Sequence, residues 1–452
     1  MKHENQLTND QQDAIDHLVE NDISLLVGGM GAGKTIVAAT AGVERIRDGY
    51  TNKVLVTAPL MPCDTAWRKV WEEWSHLTGY TVAFALGSAD KRLAAIIDQA
   101  DFTIINHENL GWLASKYGKE HGYDGLIIDE LSKFRSLGTA GKAIKKMKIR
   151  GWCVGLTGTP VSEDWQGFFY MCRMLDGGKT FGTRKDTFVN KYFYARDYTG
   201  YKLEPVPGAK KKIMQKLKPI LHVMPDYTGS LPKLSIQGHR IKLDARTREI
   251  YDEMTKEMAI TVEGLEVEAV NAAVLTSKQR QIAGGFVMGD EGTRFFGNEK
   301  LYCAINIIKK QTAKDGPIIV VYDYLAEISQ LKAMYPSAPV LGDGMSRAQK
   351  VKTVEAFAQG NVPLLFMHPA AAGHGTDGLQ DFCHTMIFLC PIWSLDKTDQ
   401  VIARIWRRGQ TQPCTVHTLI AIGTIDEDSV MPKLGEKSTQ MPEFLELWSK
   451  LQ

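Results

Sequence analysis

The segment Leu25–Ala39, LLVGGMGAGKTIVAA, restricts the fold of this chain more than any other stretch. It fits the pattern G-x-x-x-x-G-K-[ST], with Gly28, Gly33, Lys34 and Thr35 at the fixed positions. The apolar residues before the glycines predict a buried strand, and those after Thr35 predict a helix. In such a strand–loop–helix unit, backbone N–H groups and the positive end of the helix dipole bind phosphate. The segment therefore predicts an α/β domain with a nucleotide-phosphate site, the alternative being a flexible glycine turn.

The same loop assigns a role to each of its residues. We expect the backbone of Gly31, Ala32 and Gly33 to face the phosphates. The Lys34 ammonium would reach the β- and γ-phosphates, and the Thr35 hydroxyl would bind Mg²⁺. Kinases, GTPases, transporters and motors all contain this loop, so its presence does not distinguish these classes of protein.

Bulk composition limits the class of protein. A length of 452 residues indicates two or three domains, and 44% hydrophobic with 23% charged residues is typical of a soluble globular chain. The seven cysteines form no C-x-x-C pair, which argues against zinc or disulfides and suits a reducing cytoplasm. We expect no membrane span and no signal peptide. With a net charge of only +2, any polyanion site must be a local patch.

Short apolar runs alternate with helical stretches over the first 160 residues, which indicates a parallel sheet covered on both faces. The predicted strands are Lys53–Pro59, Phe102–His107, Gly125–Glu130 and Trp152–Gly158. A tryptophan stripe within Asp64–Leu77 predicts a core helix. Residues 161–235 predict a helical or irregular insertion, and residues 244–283 predict helices without β alternation. The strand rhythm resumes at Pro317, so two α/β lobes flank a helical middle.

Polar residues follow two of the predicted strands. Asp129 and Glu130 end the run LIIDE, where Asp129 would hold Mg²⁺ and Glu130 would orient and deprotonate water. The alternative is that both acids merely cap a strand. In GLTGTP, the hydroxyls of Thr157 and Thr159 could sense the γ-phosphate, although Gly-Thr-Pro also suits a plain turn. Near the N-terminus, the Gln11 amide could pair with an adenine edge.

A basic segment near the C-terminus, Pro391–Gln410, carries the remaining chemistry. From Asp396 onward it predicts a helix with Gln400, Arg404 and Arg407 on one face. Arginines presented from a second lobe can neutralise charge on a transferred phosphoryl group. Taken alone, this pattern also fits a solvated basic helix face.

The order of these motifs resembles the Swi/Snf-related branch of the superfamily 2 helicases and translocases. That family carries Pro-x-Trp-Asn-Pro, five residues, and then Gln-x-x-x-Arg-x-x-Arg-x-Gly-Gln. The chain has Ser394 and Leu395 in place of the Asn-Pro. It matches the other positions with Pro391, Trp393, Gln400, Arg404, Arg407, Gly409 and Gln410. The compact size and the segment GHGTDGLQ are most similar to bacteriophage-encoded members.

Other segments extend the resemblance over nearly the whole chain, with two departures. Leu275–Phe286 and the stretch TAPLMPCDTAWRKVWEEW correspond to family motifs. Leu131 and Ser132 replace the Ala and His of the family's acidic motif, so coupling through that histidine is absent or replaced. In Ala370–Gln380 the resemblance implies an ATP contact at Gly375, whereas the partner of Asp377 stays open between ATP and DNA.

The resemblance implies an α/β fold of two RecA-like parallel-sheet lobes with helical insertions between them. Lobe 1 would span 1–160, the insertion 161–235, and lobe 2 236–452 with a helical lead-in at 244–300. ATP and Mg²⁺ would lie in the cleft between the lobes. Lobe 1 would supply the phosphate loop, the acids and Gln11, and lobe 2 would supply Gly375, Gln400, Arg404 and Arg407.

The resemblance further implies an ATP-driven translocase on double-stranded DNA, acting as a monomer in the cytoplasm, which is the host's if the chain is phage-encoded. The alternatives are a strand-separating DNA or RNA helicase and an ATP-switched nucleic-acid clamp. The cationic run Ala209–Lys218 offers a second DNA contact through Lys210, Lys211 and Lys212. The alternative for this run is a solvated lysine face.

Overall fold

The computed structural model describes residues 1–149, 151–161, 164–195, 203–225, 230–313, 316–342, 344–359, 363–373, 378–431 and 440–451. The chain divides into two compact units. The first comprises Met1–Gly229 together with Thr439–Gln452, and the second comprises Ser230–Ser438. Each unit is built on its own parallel β-sheet.

The first unit contains a seven-stranded sheet with the strand order β3-β4-β2-β5-β6-β1-β9, in which every pair is parallel. The strands are β1 (Ile23–Val27), β2 (Val54–Ala58), β3 (Val82–Ala85), β4 (Phe102–Asn106), β5 (Gly125–Ile128), β6 (Trp152–Thr157), β7 (Phe193–Ala195), β8 (Leu203–Pro205) and β9 (Leu221–Val223). The short strands β7 and β8 pair separately as an antiparallel ribbon. The four strands predicted from the apolar runs are confirmed as β2, β4, β5 and β6.

Helices cover both faces of this sheet. They are α1 (Asn9–Glu20), α2 (Lys34–Arg47), α3 (Leu60–Pro62), α4 (Arg68–Glu73), α5 (Ala89–Ile97), α6 (Leu110–Tyr117), α7 (Thr139–Met147), α8 (Gly167–Asp176), α9 (Lys185–Tyr192), α10 (Ala209–Leu217) and the C-terminal helix Gln440–Ser449. A π-helical turn, Cys63–Trp67, joins α3 to α4. The predicted tryptophan stripe is confirmed as core, since Trp67, Trp71 and Trp74 are all buried.

Alternate strand residues enter separate cores on the two faces, as a doubly covered parallel sheet requires. Leu25 and Val27 pack into one core, whereas Leu26 packs into the other. The predicted insertion 161–235 lies almost wholly within this first unit. Its last strand, β9, extends the sheet beside β1, and its helices share a core with the C-terminal helix, where Phe168 stacks on Phe444 with ring centroids 6.0 Å apart.

The second unit contains a six-stranded parallel sheet with the order β10-β19-β18-β15-β17-β16. Its strands are β10 (Leu234–Ile241), β11 (Ala259–Val262), β12 (Leu265–Glu268), β13 (Phe286–Gly289), β14 (Gly292–Phe295), β15 (Ile318–Val321), β16 (Val340–Leu341), β17 (Leu364–Met367), β18 (Thr385–Phe388) and β19 (Cys414–Ala421). Its helices are α11 (Ala245–Glu257), α12 (Ala272–Ala283), α13 (Glu299–Thr312), α14 (Leu325–Met334), α15 (Arg347–Ala358) and α16 (Leu395–Ile402).

The prediction of helices without strands over residues 244–283 is wrong between Ala259 and Glu268, where β11 and β12 form an antiparallel hairpin. The turn residues Glu263 and Gly264 both have positive φ, 50° and 79°, which suits a tight two-residue hairpin turn. Each strand is only four residues long, so the alternation of buried and exposed residues is too short to stand out beside α11 and α12.

The predicted fold class is confirmed: the chain is an α/β protein built on two parallel sheets. All seven cysteines are free thiols. Among the described residues, no helix combines the length and the apolar character that crossing a bilayer requires.

Candidate nucleotide-binding site

The phosphate loop connects β1 to α2 in the first unit. Gly31 and Gly33 have φ values of 81° and 86°, a left-handed conformation that disfavours residues with a Cβ. A Cβ added to Gly33 would lie only 2.3 Å from the Gln11 side-chain nitrogen, so glycine is also needed for space. Helix α2 begins directly afterwards at Lys34, with Thr35 half-buried in its first turn. The loop therefore has the strand–turn–helix form that the sequence predicted.

Lys34 lies folded back over the loop. Its Nζ donates hydrogen bonds to the carbonyl oxygens of Gly28 at 2.6 Å and Gly29 at 3.0 Å. Burial lowers the pKa of Lys34, and the charges of Glu130 and Asp129 oppose that change. A desolvated ammonium held only by carbonyls at the end of a glycine loop is a strong binding group for an anion. The loop thus fits a nucleotide phosphate.

Gln11 braces the phosphate loop from α1. Its Nε2 donates to the carbonyl of Ala32 at 3.1 Å, and its Oε1 accepts from the Thr8 N–H at 3.0 Å as part of a capping box. The side chain is buried. A glutamine amide has two donor hydrogens and two acceptor lone pairs, so one of each is left beyond these two bonds. Gln11 therefore positions the loop while keeping capacity for the base contact predicted from sequence.

Asp129 and Glu130 follow β5 at the same edge of the sheet as the phosphate loop. The Asp129 N–H donates to the Thr57 carbonyl at 2.8 Å, and its Oδ1 accepts from the Glu130 N–H at 3.0 Å. Burial raises the pKa of Asp129, and the Trp67 hydrogen bond and the Lys34 charge oppose the rise. Glu130 has a φ of 52°, in the left-handed region, which costs a non-glycine residue roughly 1–3 kcal/mol. Strain of this kind is concentrated at functional sites, which agrees with the role predicted for Glu130.

Sequence reasoning missed two side chains near Asp129. Trp67 is fully buried, and its indole Nε1–H donates to Asp129 Oδ2 at 2.9 Å. His107, just after β4, pairs through Nδ1 with the Thr57 hydroxyl at 2.9 Å. Burial lowers the pKa of His107 to about 4, so the ring is neutral at physiological pH. The tryptophan stripe indicated that Trp67 is buried, and a buried indole N–H usually needs a hydrogen-bond acceptor. The acceptor, Asp129, could not be identified from sequence because it is 62 residues away.

The GLTGTP segment after β6 closes the other side of the loop. The Gly28 N–H donates to the carbonyl of the fully buried Thr157 at 3.1 Å, and Thr157 Oγ1 accepts from the Thr159 N–H at 3.2 Å. A Cβ added to Gly158 would lie 3.8 Å from Lys34 Nζ. The predicted phosphate loop, acidic pair and threonines therefore converge at the carboxyl ends of β1, β5 and β6, the sheet edge where α/β proteins bind ligands.

The predicted residues of the second unit lie at the end of α16 and directly after it. The prediction that one helix face carries Gln400, Arg404 and Arg407 is wrong in its local structure, because α16 ends at Ile402. The chain then turns, with the Arg404 N–H donating to Val401 and the Gln410 N–H to Arg407. Gln400 and the buried Arg404 nevertheless stay together, since Arg404 Nε donates to the Gln400 carbonyl at 3.3 Å.

The physical reason for the early helix end is the Gly409–Gln410 turn. Gly409 has a φ of 98°, and the buried Gln410 amide donates to the carbonyls of Cys383 at 3.2 Å and Ile405 at 2.9 Å. Trp406 also donates from Nε1 to the Pro232 carbonyl at 2.8 Å. These hydrogen bonds within the second unit prevent the segment from continuing as a helix. The spacing of residues in the sequence does not show them.

A second family motif contacts the start of this segment. In Leu275–Phe286, the Arg280 guanidinium forms an ion pair with Asp323 at 2.8 Å and donates to the Pro391 carbonyl at 3.3 Å. Gly375 and Asp377, the other predicted residues of this lobe, lie outside the described residues.

The three predicted DNA-contacting lysines have different environments on α10. Lys210 Nζ lies 2.5 Å from Glu443 Oε2 of the C-terminal helix and 5.7 Å from the centre of the Trp165 ring. Lys211 and Lys212 are exposed. Lys210 therefore ties α10 to the C-terminal helix, whereas the other two face solvent.

Comparison with known proteins agrees with these features. The DEAD/DEAH box helicase family matches residues 8–164. Putative protein p41 of Acyrthosiphon pisum secondary endosymbiont phage 1 is 28% identical over 436 residues, covering 91% of this chain and 92% of p41. A RAD54-like DNA repair and recombination protein of Drosophila ananassae is 22% identical over 468 residues, covering 90% of this chain but only 58% of that protein.

Among solved structures, the Sulfolobus solfataricus SWI2/SNF2 ATPase core in complex with dsDNA is 17% identical, covers 97% of this chain and 96% of that chain, and has a TM-score of 0.46. The chain spans about three fifths of the length of the RAD54-like relative, so it matches only part of that protein. These matches agree with the motif order and confirm the predicted resemblance to the Swi/Snf-related branch of the superfamily 2 helicases and translocases.

Proposed function

We propose that this protein is an ATP-driven motor that moves along double-stranded DNA. The observation that carries the proposal is the position of Lys34, whose desolvated ammonium shares one sheet edge with Asp129 and Glu130 in a helicase-family unit. The family is one of ATP hydrolases, and the RAD54-like relative acts in DNA repair and recombination by its name. These two facts support ATP as the substrate that is hydrolysed and DNA as the polymer along which the protein moves.

In this proposal, the backbone of Gly31, Ala32 and Gly33 and the Lys34 ammonium bind the phosphates of ATP. The residues present also fit a magnesium ion, because Thr35 supplies a hydroxyl and Asp129 a carboxylate with unused lone pairs. Bound Mg²⁺ would neutralise negative charge on the β- and γ-phosphates. Trp67 would hold the Asp129 carboxylate in one orientation through its indole N–H.

Glu130 would orient the attacking water and accept its proton, since it adjoins Asp129 and its backbone is held in an uncommon conformation. Thr157 and Thr159 would report loss of the γ-phosphate to the rest of the unit, because Gly28 is bonded to Thr157. We further propose that Arg404 and Arg407 neutralise negative charge on the transferred phosphoryl group. Gln400 and Gly375 would also contact the nucleotide.

Movement would follow from this chemistry in a simple way. Two units that bind the same nucleotide are drawn together while the γ-phosphate is present and released after hydrolysis. If each unit grips backbone phosphates, repeated cycles advance the protein along DNA without reading sequence. The grip would weaken steeply with salt, since each phosphate contact releases condensed counterions.

The test is the steady-state ATPase rate with no nucleic acid, duplex DNA, single-stranded DNA and RNA, combined with displacement of a third strand from a DNA triplex. We expect the largest stimulation by duplex DNA and ATP-dependent triplex displacement. Equal stimulation by RNA, or release of single strands from a fork, would favour the helicase alternative. ATP-dependent retention on DNA without triplex displacement would favour a clamp.

A further inference from the structure

A concave basic surface lies on the first unit away from the nucleotide site. It encloses a cavity of about 580 Å³ between the loop after α8, helix α9 and helix α10. Four lysines line it, and we call this set the lysine cavity: Lys179, Lys191, Lys212 and Lys216. The remaining lining residues, such as Tyr192 and Ile220, are uncharged.

The cavity is remote from the phosphate loop. Ile220 immediately precedes the amino end of β9, and its carbonyl accepts from the Leu25 N–H in the middle of β1. The phosphate loop begins at Gly28, three residues beyond Leu25. At about 3.3 Å per residue, Ile220 and the start of the loop are separated by roughly 10 Å along β1. The lysine cavity is therefore not part of the ATP site.

The four ammonium groups lack carboxylate partners in the described part of the chain. All four side chains are exposed, and none forms an ion pair among the described residues. The carboxylate beside the cavity, Asp176, is occupied by the backbone, since its two oxygens accept from the Gly178 N–H at 2.6 Å and the Thr180 N–H at 2.7 Å. By contrast, Lys210 on the same helix is neutralised by Glu443.

Repulsion between neighbouring lysine ammonium groups destabilises the folded protein, and a bound anion would reduce that repulsion. Lys212 and Lys216 are four residues apart on α10, where like charges destabilise a helix by a few tenths of a kcal/mol. The Lys191 ammonium lies 5.4 Å from the centre of the buried Tyr192 ring, which fixes it at the rim. The four charges thus converge on one concavity with no carboxylate in its lining.

We propose that the lysine cavity binds the phosphate backbone of duplex DNA and forms a second DNA contact of this motor. Lysines act as hydrated point charges without bidentate geometry, which suits sequence-independent backbone contact. The single aromatic residue in the lining, Tyr192, is buried and offers no face on which unpaired bases could stack, so single strands gain nothing extra there. This inference rests on the proposed DNA function and refines the predicted site from Lys210–Lys212 to Lys212 and its three cavity partners.

The salt dependence of binding gives the expected magnitude. Each phosphate neutralised contributes about −0.9 to the slope of log K against log salt. Removing Lys212 and Lys216 should therefore make the slope shallower by about 1.8. Between about 50 and 200 mM salt, the wild-type affinity would fall roughly tenfold more than that of the variant.

The experiment compares Lys212→Ala/Lys216→Ala with Lys309→Ala/Lys310→Ala in the full-length protein, using fluorescence anisotropy of a labelled DNA duplex over a salt series. The control pair lies exposed on α13 and removes the same charge. We expect a shallower slope only in the cavity variant, with the ATPase rate without DNA unchanged in both.

The outcomes separate this inference from the proposed function. If wild-type protein binds duplex DNA with a steep salt slope and the two double variants behave alike, the lysine cavity is not a DNA contact, while the motor proposal stands. If wild-type protein does not bind duplex DNA, the proposed function itself fails. Loss of binding to inorganic tripolyphosphate but not to duplex DNA in the cavity variant would assign the cavity to small anions and overturn the inference.

Discussion

Replacing Trp67 by Phe would isolate the hydrogen bond that supports the acidic pair. Trp67 is fully buried and donates from Nε1 to Asp129 Oδ2 at 2.9 Å. Trp71, one turn further on, is also buried, but its Nε1 has no hydrogen-bond partner in the described structure. Trp71→Phe is therefore a matched control with the same ring contraction in the same core. The difference between the two variants reports the Trp67–Asp129 bond.

The magnitude follows from the charge on the acceptor. A hydrogen bond to a charged group contributes roughly 1.5–3 kcal/mol, and one pKa unit corresponds to about 1.4 kcal/mol. Loss of the indole N–H should therefore raise the pKa of Asp129 further, because the ionised carboxylate loses a donor that stabilises it. For a unit of roughly 240 residues, the melting temperature of Trp67→Phe should lie about 3–12 °C below that of Trp71→Phe.

The sign of the pH dependence is fixed by the direction of the shift. Burial holds the folded-state pKa of Asp129 above its unfolded value, so ionisation destabilises the fold as pH rises through that folded pKa. The stability gap between the two variants should be largest where Asp129 is ionised and should close as pH falls through its raised folded-state pKa. In the ATPase assay, the acid limb of kcat/KM should move to higher pH, and more Mg²⁺ should be needed at pH 7, only in Trp67→Phe.

Two results would refute this reasoning. Equal melting temperatures for Trp67→Phe and Trp71→Phe at pH 7 would mean that the indole–carboxylate bond contributes no stability. Identical acid limbs in both variants would mean that the ionisation of Asp129 does not control the reaction.

Three further predictions concern other residues. Glu130→Gln should bind ATP with near wild-type affinity but hydrolyse it very slowly, since only water activation is removed; a wild-type single-turnover rate would contradict the assignment. Arg404→Ala or Arg407→Ala should lower turnover by about 10³–10⁵ with a much smaller loss of nucleotide affinity, measured by kcat and by nucleotide titration. Equal losses in both would indicate a folding role. The free energy of unfolding of the wild-type protein, measured in urea, should fall by up to roughly 3 kcal/mol as pH drops from 6.5 towards 4. The reason is that His107 binds a proton in the unfolded chain in this pH range, whereas the buried ring, with its pKa of about 4, stays neutral. His107→Phe should flatten this slope, and an unchanged slope would assign the acid sensitivity to other groups.

The sequence predicted most of the first unit because its signals are local. The glycine loop, the buried strands and the acids after β5 each depend on neighbouring residues, and parallel strands bring their carboxyl ends to one edge. The order β5-β6-β1 then places Asp129, Thr157 and Lys34 side by side. No long-range information was needed to expect a phosphate site there.

The support of the site could not be predicted, because it depends on which side chains meet in three dimensions. Trp67 lies 62 residues before its acceptor, and His107 lies 50 residues after the Thr57 hydroxyl it pairs with. The sequence predicted Trp67 as a core residue and His107 only as the end of a strand. The prediction that the helix continues beyond Ile402 was wrong for the same reason. Gln410 bonds to Cys383, which is distant in sequence, and this contact overrides the local helical spacing.

The two proposed sites of the first unit lie towards opposite ends of its sheet. Lys34, Asp129 and Glu130 lie at the carboxyl ends of the strands, whereas the lysine cavity lies near the amino ends of β1 and β9. Sites more than about 7–10 Å apart without shared partners act nearly independently in free energy. Changes in the lysine cavity should therefore alter DNA affinity and its salt dependence, while changes at the phosphate loop alter turnover. Since a motor must hold its track through every stage of the ATP cycle, a DNA contact outside the nucleotide site would keep it bound while that site empties.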